Sequence, residues 1–140
     1  MSIRLEEFNF STATDEEWHA LGELERVREH ESWPERTRLP DKAYRQRLTI
    51  LPPMVLKNYF WGLWDNKQLI GLSRASVMGE DIEQCVLRGS LYVHPTRRRQ
   101  GYGRHLLAPI VDLGQSLGCT HLIGETLEST SAGRFAATAL

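Results

Sequence analysis

The residues with the most evident chemistry are three consecutive arginines followed by two glycines one residue apart. Arg97, Arg98 and Arg99 precede Gly101 and Gly103. Because glycine has no side chain, such a loop can turn successive backbone N–H groups toward one point, and a bulky anion can approach that backbone. The residue types alone therefore predict a ligand that contains a phosphate or pyrophosphate group.

A strand and a helix must hold this loop in place. Residues 91–93 are apolar, and Pro95, which has no N–H to donate, marks the end of that strand. After the glycines, apolar residues recur with helical spacing at Leu106, Leu107, Ile110, Val111, Leu113 and Leu117. The positive end of this predicted helix points at the loop, which strengthens the expectation of an anion site.

This stretch resembles the acyl-CoA loop of the GNAT acetyltransferase superfamily. Arg98-x-x-Gly101-x-Gly103 fits the pattern Q/R-x-x-G-x-G/A, and it follows Leu91-Tyr92-Val93-His94-Pro95. In that family the loop amides hold the CoA pyrophosphate, and the end of the preceding strand opens to admit the pantetheine and the thioester. The resemblance extends over residues 3–140, with specific motif content in residues 85–127.

The resemblance implies a set of cofactor-binding residues and a cosubstrate. The cosubstrate is acetyl-CoA or another acyl-CoA. The residues expected to bind it are Leu91, Tyr92, Val93, Arg98, Arg99, Gln100, Gly101, Tyr102, Gly103 and Arg104. The backbone N–H of Val93, or of its neighbour, is expected to stabilise the thioester carbonyl electrostatically.

Transfer of an acetyl group to an amine also needs a base and an acid. Glu125, directly or through water, is the candidate base, since a mostly apolar strand raises the pKa of a carboxyl group. An equal alternative is a strand-end glutamate in solvent or paired with an arginine, and Glu83 is a weaker candidate. Many family members use a tyrosine as the acid, but aligning Ala132 and Phe135 with that motif puts Ala136 in its place.

Composition and spacing argue against several other classes. The chain has 17 basic and 18 acidic residues, so it has no general attraction for nucleic acid or an anionic membrane. A nucleic-acid module that binds through residues 97–104 is the least favoured alternative, because these arginines lack interleaved aromatics and a basic background. The five histidines show no metal-ligand spacing, so no metal site is expected, and His94 is expected to make a structural hydrogen bond.

The remaining sequence predicts a cytoplasmic protein. No apolar run is long enough to cross a bilayer, and the first ten residues contain no apolar signal segment. Cys85 and Cys119 are far apart in sequence, which favours reduced thiols over a disulfide framework.

The predicted elements follow hydrophobic patterns and breaker residues. A first helix begins at a capping box formed by Thr14 and Glu17, runs to about His30 and carries Glu25 on its wet side. The other elements are a strand at 3–10, a second helix from 41 that ends before 52, a hairpin at 59–77 with its turn at 65–67, strands at 85–93 and 120–127, and a helix from 131. The strand at 120–127 is expected to be buried. Pro109 is expected to bend the helix after the loop, and Gly118 to cap its C-terminus.

The chain length suits one domain over residues 1–140, and the resemblance implies a GNAT-type α/β fold with a mixed, mostly antiparallel central sheet flanked by helices. The GNAT fold has two further strands after the last helix. We therefore expect either a C-terminally incomplete domain of a longer, tandem protein, or a sheet that is completed by self-association. In the family, the first two helices and their joining loop line the acceptor side; Trp33 with Arg36 or Arg38 is a candidate contact there, although an ordinary surface loop is favoured.

The expected function is an N-acetyltransferase that moves an acetyl group from acetyl-CoA to an amine by direct attack in a ternary complex. The alternative is a non-catalytic CoA-binding domain that plays a structural or regulatory part in a larger protein, which the missing tyrosine favours. The acceptor is expected to be a small-molecule or peptide amine, and no motif identifies it further.

Overall fold

The computed structural model describes residues 3–35, 37, 39–79, 86–119 and 121–124. Over these residues the chain forms a five-stranded sheet and three α-helices. The strands are β1 (Ile3–Glu7), β2 (Val55–Asp65), β3 (Gln68–Met78), β4 (Val86–Val93) and β5 (His121–Gly124). The helices are α1 (Asp15–Ser32), α2 (Asp41–Thr49) and α3 (Tyr102–Ser116). The predicted α/β class is confirmed.

The strands lie in the order β1-β2-β3-β4-β5. The first four are antiparallel to their neighbours, and β5 pairs with β4 in parallel, so that Val86 lies opposite His121 and Gly89 opposite Gly124. The β2–β3 hairpin turns at Asn66, whose φ of 54° is in the left-handed region that asparagine tolerates. The sheet is thus mixed and mostly antiparallel, as the family resemblance implies.

The helices α1 and α3 cover opposite faces of the sheet. Leu72 of β3 belongs to the core that Trp18 and Leu21 of α1 fill, whereas a side chain at the adjacent Gly71 would run into Leu106 of α3. Adjacent residues of a strand point to opposite faces, so the two helices must lie on different sides. The loop between β4 and α3 therefore crosses from the sheet to the α3 face.

Both predicted helix caps are confirmed. The Thr14 hydroxyl accepts from the Glu17 N–H at 3.1 Å, and the Glu17 carboxylate accepts from the Thr14 N–H at 3.0 Å. At the end of α3, Gly118 has a φ of 68° and the Cys119 N–H donates to the Gly114 carbonyl at 2.9 Å. The helix α3 is continuous through Pro109.

Several predicted details are wrong. The first strand ends at Glu7 instead of residue 10, although Phe8 still packs in the core. Glu25 is buried, and its carboxylate pairs with Arg28 at 2.6 Å. In the described part of β5, Ile123 is 45% exposed, since this strand forms an edge of the described sheet.

The prediction of reduced thiols is also wrong for Cys119, which is disulfide-bonded. β4 and β5 are parallel, and Val86 at the start of β4 pairs with His121 at the start of β5. The two strands therefore begin side by side. A covalent link near the start of β5 is compatible with this pairing. Cys85 lies outside the described residues.

Candidate functional site

The loop after β4 has an unusual backbone. His94 begins a 3-10 turn over Pro95–Arg97, and α3 starts at Tyr102. Between these elements Arg99 has a φ of 64° and Gly101 a φ of 82°. Left-handed residues next to extended or helical ones turn successive N–H groups toward a common concave side, which is a geometry that binds anions. A left-handed arginine is uncommon, and such strained residues cluster at ligand sites.

The N-terminus of α3 is open. Gly101 stands at its N-cap position, no side chain caps the helix, and the first turn contains no acidic residue. A helix leaves its first four N–H groups without internal partners, and its dipole makes this end positive. A Cβ atom added at Gly101 would meet no other atom within 4 Å, so the backbone here is open to a ligand.

The four arginines of the loop region form two groups, one with ion-pair partners in the protein and one without. Arg97 binds Asp65 at 2.8 Å, and Arg98 binds Glu31 through two contacts of 2.7 Å. Arg99 and Arg104 are exposed and make no ion pair with any residue in the described part of the chain. Arg99 and Arg104 are therefore the guanidinium groups that remain for an anionic ligand.

Arg98 is the centre of a polar network that joins the loop to α1. Its Nε donates to the Val93 carbonyl at 3.1 Å, and its guanidinium lies 5.3 Å from the centre of the Tyr92 ring. The Tyr92 hydroxyl donates to Glu31 at 3.0 Å. The hydrogen bond from Arg98 lowers the pKa of Glu31, whereas burial and the Glu31 charge raise the pKa of Tyr92. Glu31 is thus an anion and Tyr92 a neutral donor near neutral pH.

The N–H of Val93, the predicted donor to the thioester carbonyl, points away from β3. The His94 N–H donates to the Ile70 carbonyl at 2.8 Å, and Val93 lies opposite Gly71. In an antiparallel pair the hydrogen-bonding direction alternates from residue to residue, so the Val93 N–H and carbonyl face the β5 side. The predicted opening between the two strands lies beyond Gly124, outside the described residues.

Two cavities flank α1 near the end of β4. One, of about 580 Å³, lies between α1, α2 and Pro95, and its walls include Glu29, Glu31 and Tyr44. The other, of about 670 Å³, lies between α1, the β2–β3 turn and His94. Their walls carry charges of both signs: Arg26 lines the first and Lys67 the second, and the carboxylates of Glu23 and Glu31 are paired with Arg26 and Arg98.

Several predicted site residues lie outside the described part of the chain. These are the candidate bases Glu125 and Glu83, the Ala136 position and the loop residues Arg36 and Arg38. Sequence reasoning missed Glu31 and Asp65 as partners of the loop arginines. Glu31 pairs with Arg98, which is 67 residues away in the sequence, and Asp65 pairs with Arg97. No local pattern marks either residue, because the pairing depends on how α1 and the hairpin pack.

Two negative findings apply to the described residues alone. No group of three or more histidine, cysteine, aspartate or glutamate side chains among them is arranged to hold a metal ion. None of their helices has the length and apolar character needed to cross a membrane.

Sheet, loop and open helix end together define an α/β domain whose loop between β4 and α3 has a backbone geometry suited to an anion. The model of the acetyltransferase (GNAT) family matches residues 18–139. The chain therefore belongs to the GNAT acetyltransferase family, and the resemblance stated from the loop motif is confirmed. No curated protein matches the chain at a significant level.

Solved structures share the fold at low sequence identity. The ribosomal-protein-alanine N-acetyltransferase from Brucella melitensis biovar Abortus 2308 has a TM-score of 0.70 at 15% identity, covering 99% of this chain and 91% of that one. The aminoglycoside N-acetyltransferase AAC(6')-Iy, solved in complex with CoA, has a TM-score of 0.67 at 16% identity, with coverage of 99% and 86%. An integron cassette protein from V. cholerae has a TM-score of 0.77 at 12% identity, with coverage of 99% and 85%.

Proposed function

We propose that this chain is an acetyl-CoA-dependent N-acetyltransferase that transfers an acetyl group to an amine by direct attack in a ternary complex. The observation that carries the proposal is the open N-terminus of α3, preceded by left-handed Arg99 and Gly101. This geometry suits a pyrophosphate, and membership of the GNAT family supports acetyl-CoA as the phosphate-bearing cosubstrate.

The residues of the loop fit CoA. The N–H groups at 101–103 would hold the pyrophosphate, and Arg99 and Arg104 would add positive charge beside it. Residues 91–93 would line the path of the pantetheine. Gln100 and Tyr102 stay predicted contacts of the same loop.

In the proposed reaction the Val93 N–H stabilises the charge that develops on the thioester oxygen as the amine attacks. Glu125 takes a proton from the attacking ammonium, directly or through water. A C–N bond forms and the C–S bond breaks, so that one ammonium and one acetyl thioester give the amide, free CoA thiol and one net proton. The acid that protonates the thiolate is not assigned, because Ala136 stands at the position of the usual tyrosine.

The acceptor class is a small-molecule or peptide amine. Solved structures with this fold are named for aminoglycoside and ribosomal-protein substrates, so both kinds of amine belong in a first screen. The two cavities beside α1, which are lined by charged side chains of both signs, offer space for a polar acceptor. A cytoplasmic location stays part of the proposal. So does completion of the sheet by a second domain or by a second copy of the chain, and light scattering at high concentration tests for self-association.

The alternative function is a CoA-binding domain without catalysis. The absence of a tyrosine at position 136 is the observation that favours it. Turnover separates the two functions: release of free thiol from acetyl-CoA in the presence of an amine panel supports the enzyme, and tight CoA binding without any thiol release supports the alternative.

The first experiment is the thermal shift of the chain with acetyl-CoA and with dephospho-CoA. A ligand at 100 times its dissociation constant stabilises by about 2.7 kcal/mol, which is roughly 5 to 10 °C for a domain of this size. The variant Gly103→Glu places a carboxylate in the first turn of α3, where it would repel the pyrophosphate, and should abolish the shift, whereas Gly103→Ala serves as the uncharged control. No shift for the wild-type chain would contradict the proposal.

A further inference from the structure

The ion pair between Glu31 and Arg98 connects the last turn of α1 with the first residue of the loop motif. Arg98 Nη1 and Nη2 each donate to one Glu31 oxygen at 2.7 Å, and Arg98 Nε donates to the Val93 carbonyl at 3.1 Å. All three guanidinium nitrogens are therefore engaged within the protein. Such a two-point contact between planar groups fixes orientation as well as distance.

Tyr92 makes the arrangement more rigid. Its hydroxyl donates to the same Glu31 oxygen that accepts from Arg98 Nη2, and its ring lies against the Arg98 guanidinium at 5.3 Å. The Arg98 side chain is only 24% exposed, whereas Arg99 and Arg104 are exposed in solvent. The guanidinium group of Arg98 is thus engaged within the protein, whereas those of Arg99 and Arg104 face solvent.

Val93 connects the network to the proposed reaction, because its N–H is the proposed donor to the thioester carbonyl. The N–H and carbonyl of Val93 face the same side of β4, and Arg98 holds that carbonyl. A guanidinium that binds both Val93 and Glu31 restrains the strand end and the start of the loop relative to α1. The distance between the proposed carbonyl donor and the proposed phosphate site depends on this restraint.

We propose that Arg98 and Glu31 are positioning residues, which set the loop amides relative to Val93, and that the Arg98 guanidinium does not bind the CoA phosphates. This inference rests on the proposed function, since it concerns how the loop holds CoA. It separates Arg98 from Arg99, although both belong to the same motif and carry the same charge.

The test compares the affinity for CoA of the wild-type chain and of matched variants by calorimetry over a range of salt concentrations. Arg98→Gln and Glu31→Gln should each weaken binding by about three- to tenfold, the loss expected for one ordinary intramolecular hydrogen bond. The double variant should bind CoA no more weakly than the single variant with the lower affinity, because both substitutions remove the same ion pair between Arg98 and Glu31. In the double variant, which removes the charges of Arg98 and Glu31 together, the salt dependence of binding should stay as in the wild-type chain.

Two further variants distinguish a positioning role from a phosphate contact. Arg98→Lys keeps the charge but lacks the planar fork, so it should bind CoA as weakly as Arg98→Gln. Arg99→Gln should weaken binding and make it less sensitive to salt, because it removes an exposed charge beside the ligand. Tyr92→Phe removes one hydrogen bond of the network, so it should lower the affinity for CoA less than Glu31→Gln does. It replaces the Arg98 and Glu31 variants in the test if those do not fold.

The outcomes separate this inference from the proposed function. If the wild-type chain binds CoA and Arg98→Lys keeps wild-type affinity, or if the double variant lowers the salt dependence as Arg99→Gln does, Arg98 is a phosphate ligand and the inference is wrong. Wild-type affinity in Glu31→Gln would also overturn it. Failure of the wild-type chain to bind CoA would overturn the proposed function together with the inference.

Discussion

The Nδ1 atom of His94 accepts a hydrogen bond from the Thr96 N–H at 3.2 Å and lies 2.9 Å from the Thr96 hydroxyl oxygen. An accepting Nδ1 carries no proton, so the neutral ring has its proton on Nε2. Burial, followed by the charges of Arg97 and Arg98, lowers the pKa of His94 and favours this neutral form. His94 therefore caps the turn that begins the loop, which is the structural hydrogen bond predicted for it.

A structural role for His94 predicts a contrast between two substitutions. His94→Asn keeps a side-chain acceptor at the cap and should leave turnover within a few-fold of the wild-type value. His94→Leu removes the acceptor and should lower the free energy of unfolding by about 1 kcal/mol. Urea denaturation and an acetyltransferase assay check both; a loss of a hundredfold or more in the turnover of His94→Asn would instead indicate general acid–base catalysis.

Gly101 and Gly118 offer a matched pair at opposite ends of α3. Both have a positive φ, and a Cβ atom at either position would meet no atom within 4 Å, so alanine brings backbone strain without a clash. Gly101→Ala and Gly118→Ala should each destabilise the fold by about 1 kcal/mol. Only Gly101→Ala should also weaken CoA binding, because Gly118 lies roughly 25 Å along the helix from Gly101. Equal CoA affinities in the two variants would remove Gly101 from the site.

Much of this fold follows from local sequence signals. The capping box at Thr14 determines where α1 begins, and the apolar stripe from Leu106 to Ile110 determines which side of α3 packs on the sheet. The positive φ of Gly101 follows from the loop motif, since a residue without a Cβ atom adopts it at least cost. These features depend on neighbours within a few positions of one another.

Other features depend on how distant elements pack, and sequence reasoning failed there. It placed Glu25 on the wet side of α1, but Glu25 is buried against its partner Arg28. It treated Arg98 and Arg99 as equivalent, whereas the docking of α1 engages only Arg98, through Glu31. The burial of a charged side chain, and its pairing with a residue of another element, depend on tertiary geometry, which hydrophobic periodicity does not encode.

The packing of α3 against β3 yields a prediction at Gly71. A Cβ atom there would come within 2.7 Å of Cδ1 of Leu106, a side chain that is fully buried and has little room to move. Gly71→Ala should therefore lower the free energy of unfolding by about 1 to 3 kcal/mol, the usual cost of overpacking. In a Leu106→Val background, which shortens the clashing side chain, the same substitution should cost less. Urea denaturation of the four proteins in this cycle measures the coupling, and additive costs would show that Leu106 is not the obstacle.

The pH dependence of stability should report the ion pair between Glu31 and Arg98. The hydrogen bond from Arg98 lowers the pKa of Glu31 below its ordinary value of 4.5 in the folded chain. Folding therefore favours the charged carboxylate, so this contribution is complete above pH 4.5 and is lost as the pH falls through the lower, folded pKa. The difference in unfolding free energy between the wild-type chain and Glu31→Gln should accordingly shrink on acidification. In an Arg98→Gln background the same comparison should show a weaker pH dependence, because the main cause of the shift is gone. A wild-type advantage that persists undiminished well below pH 4.5 would show that Glu31 stabilises the fold through packing and not through its charge.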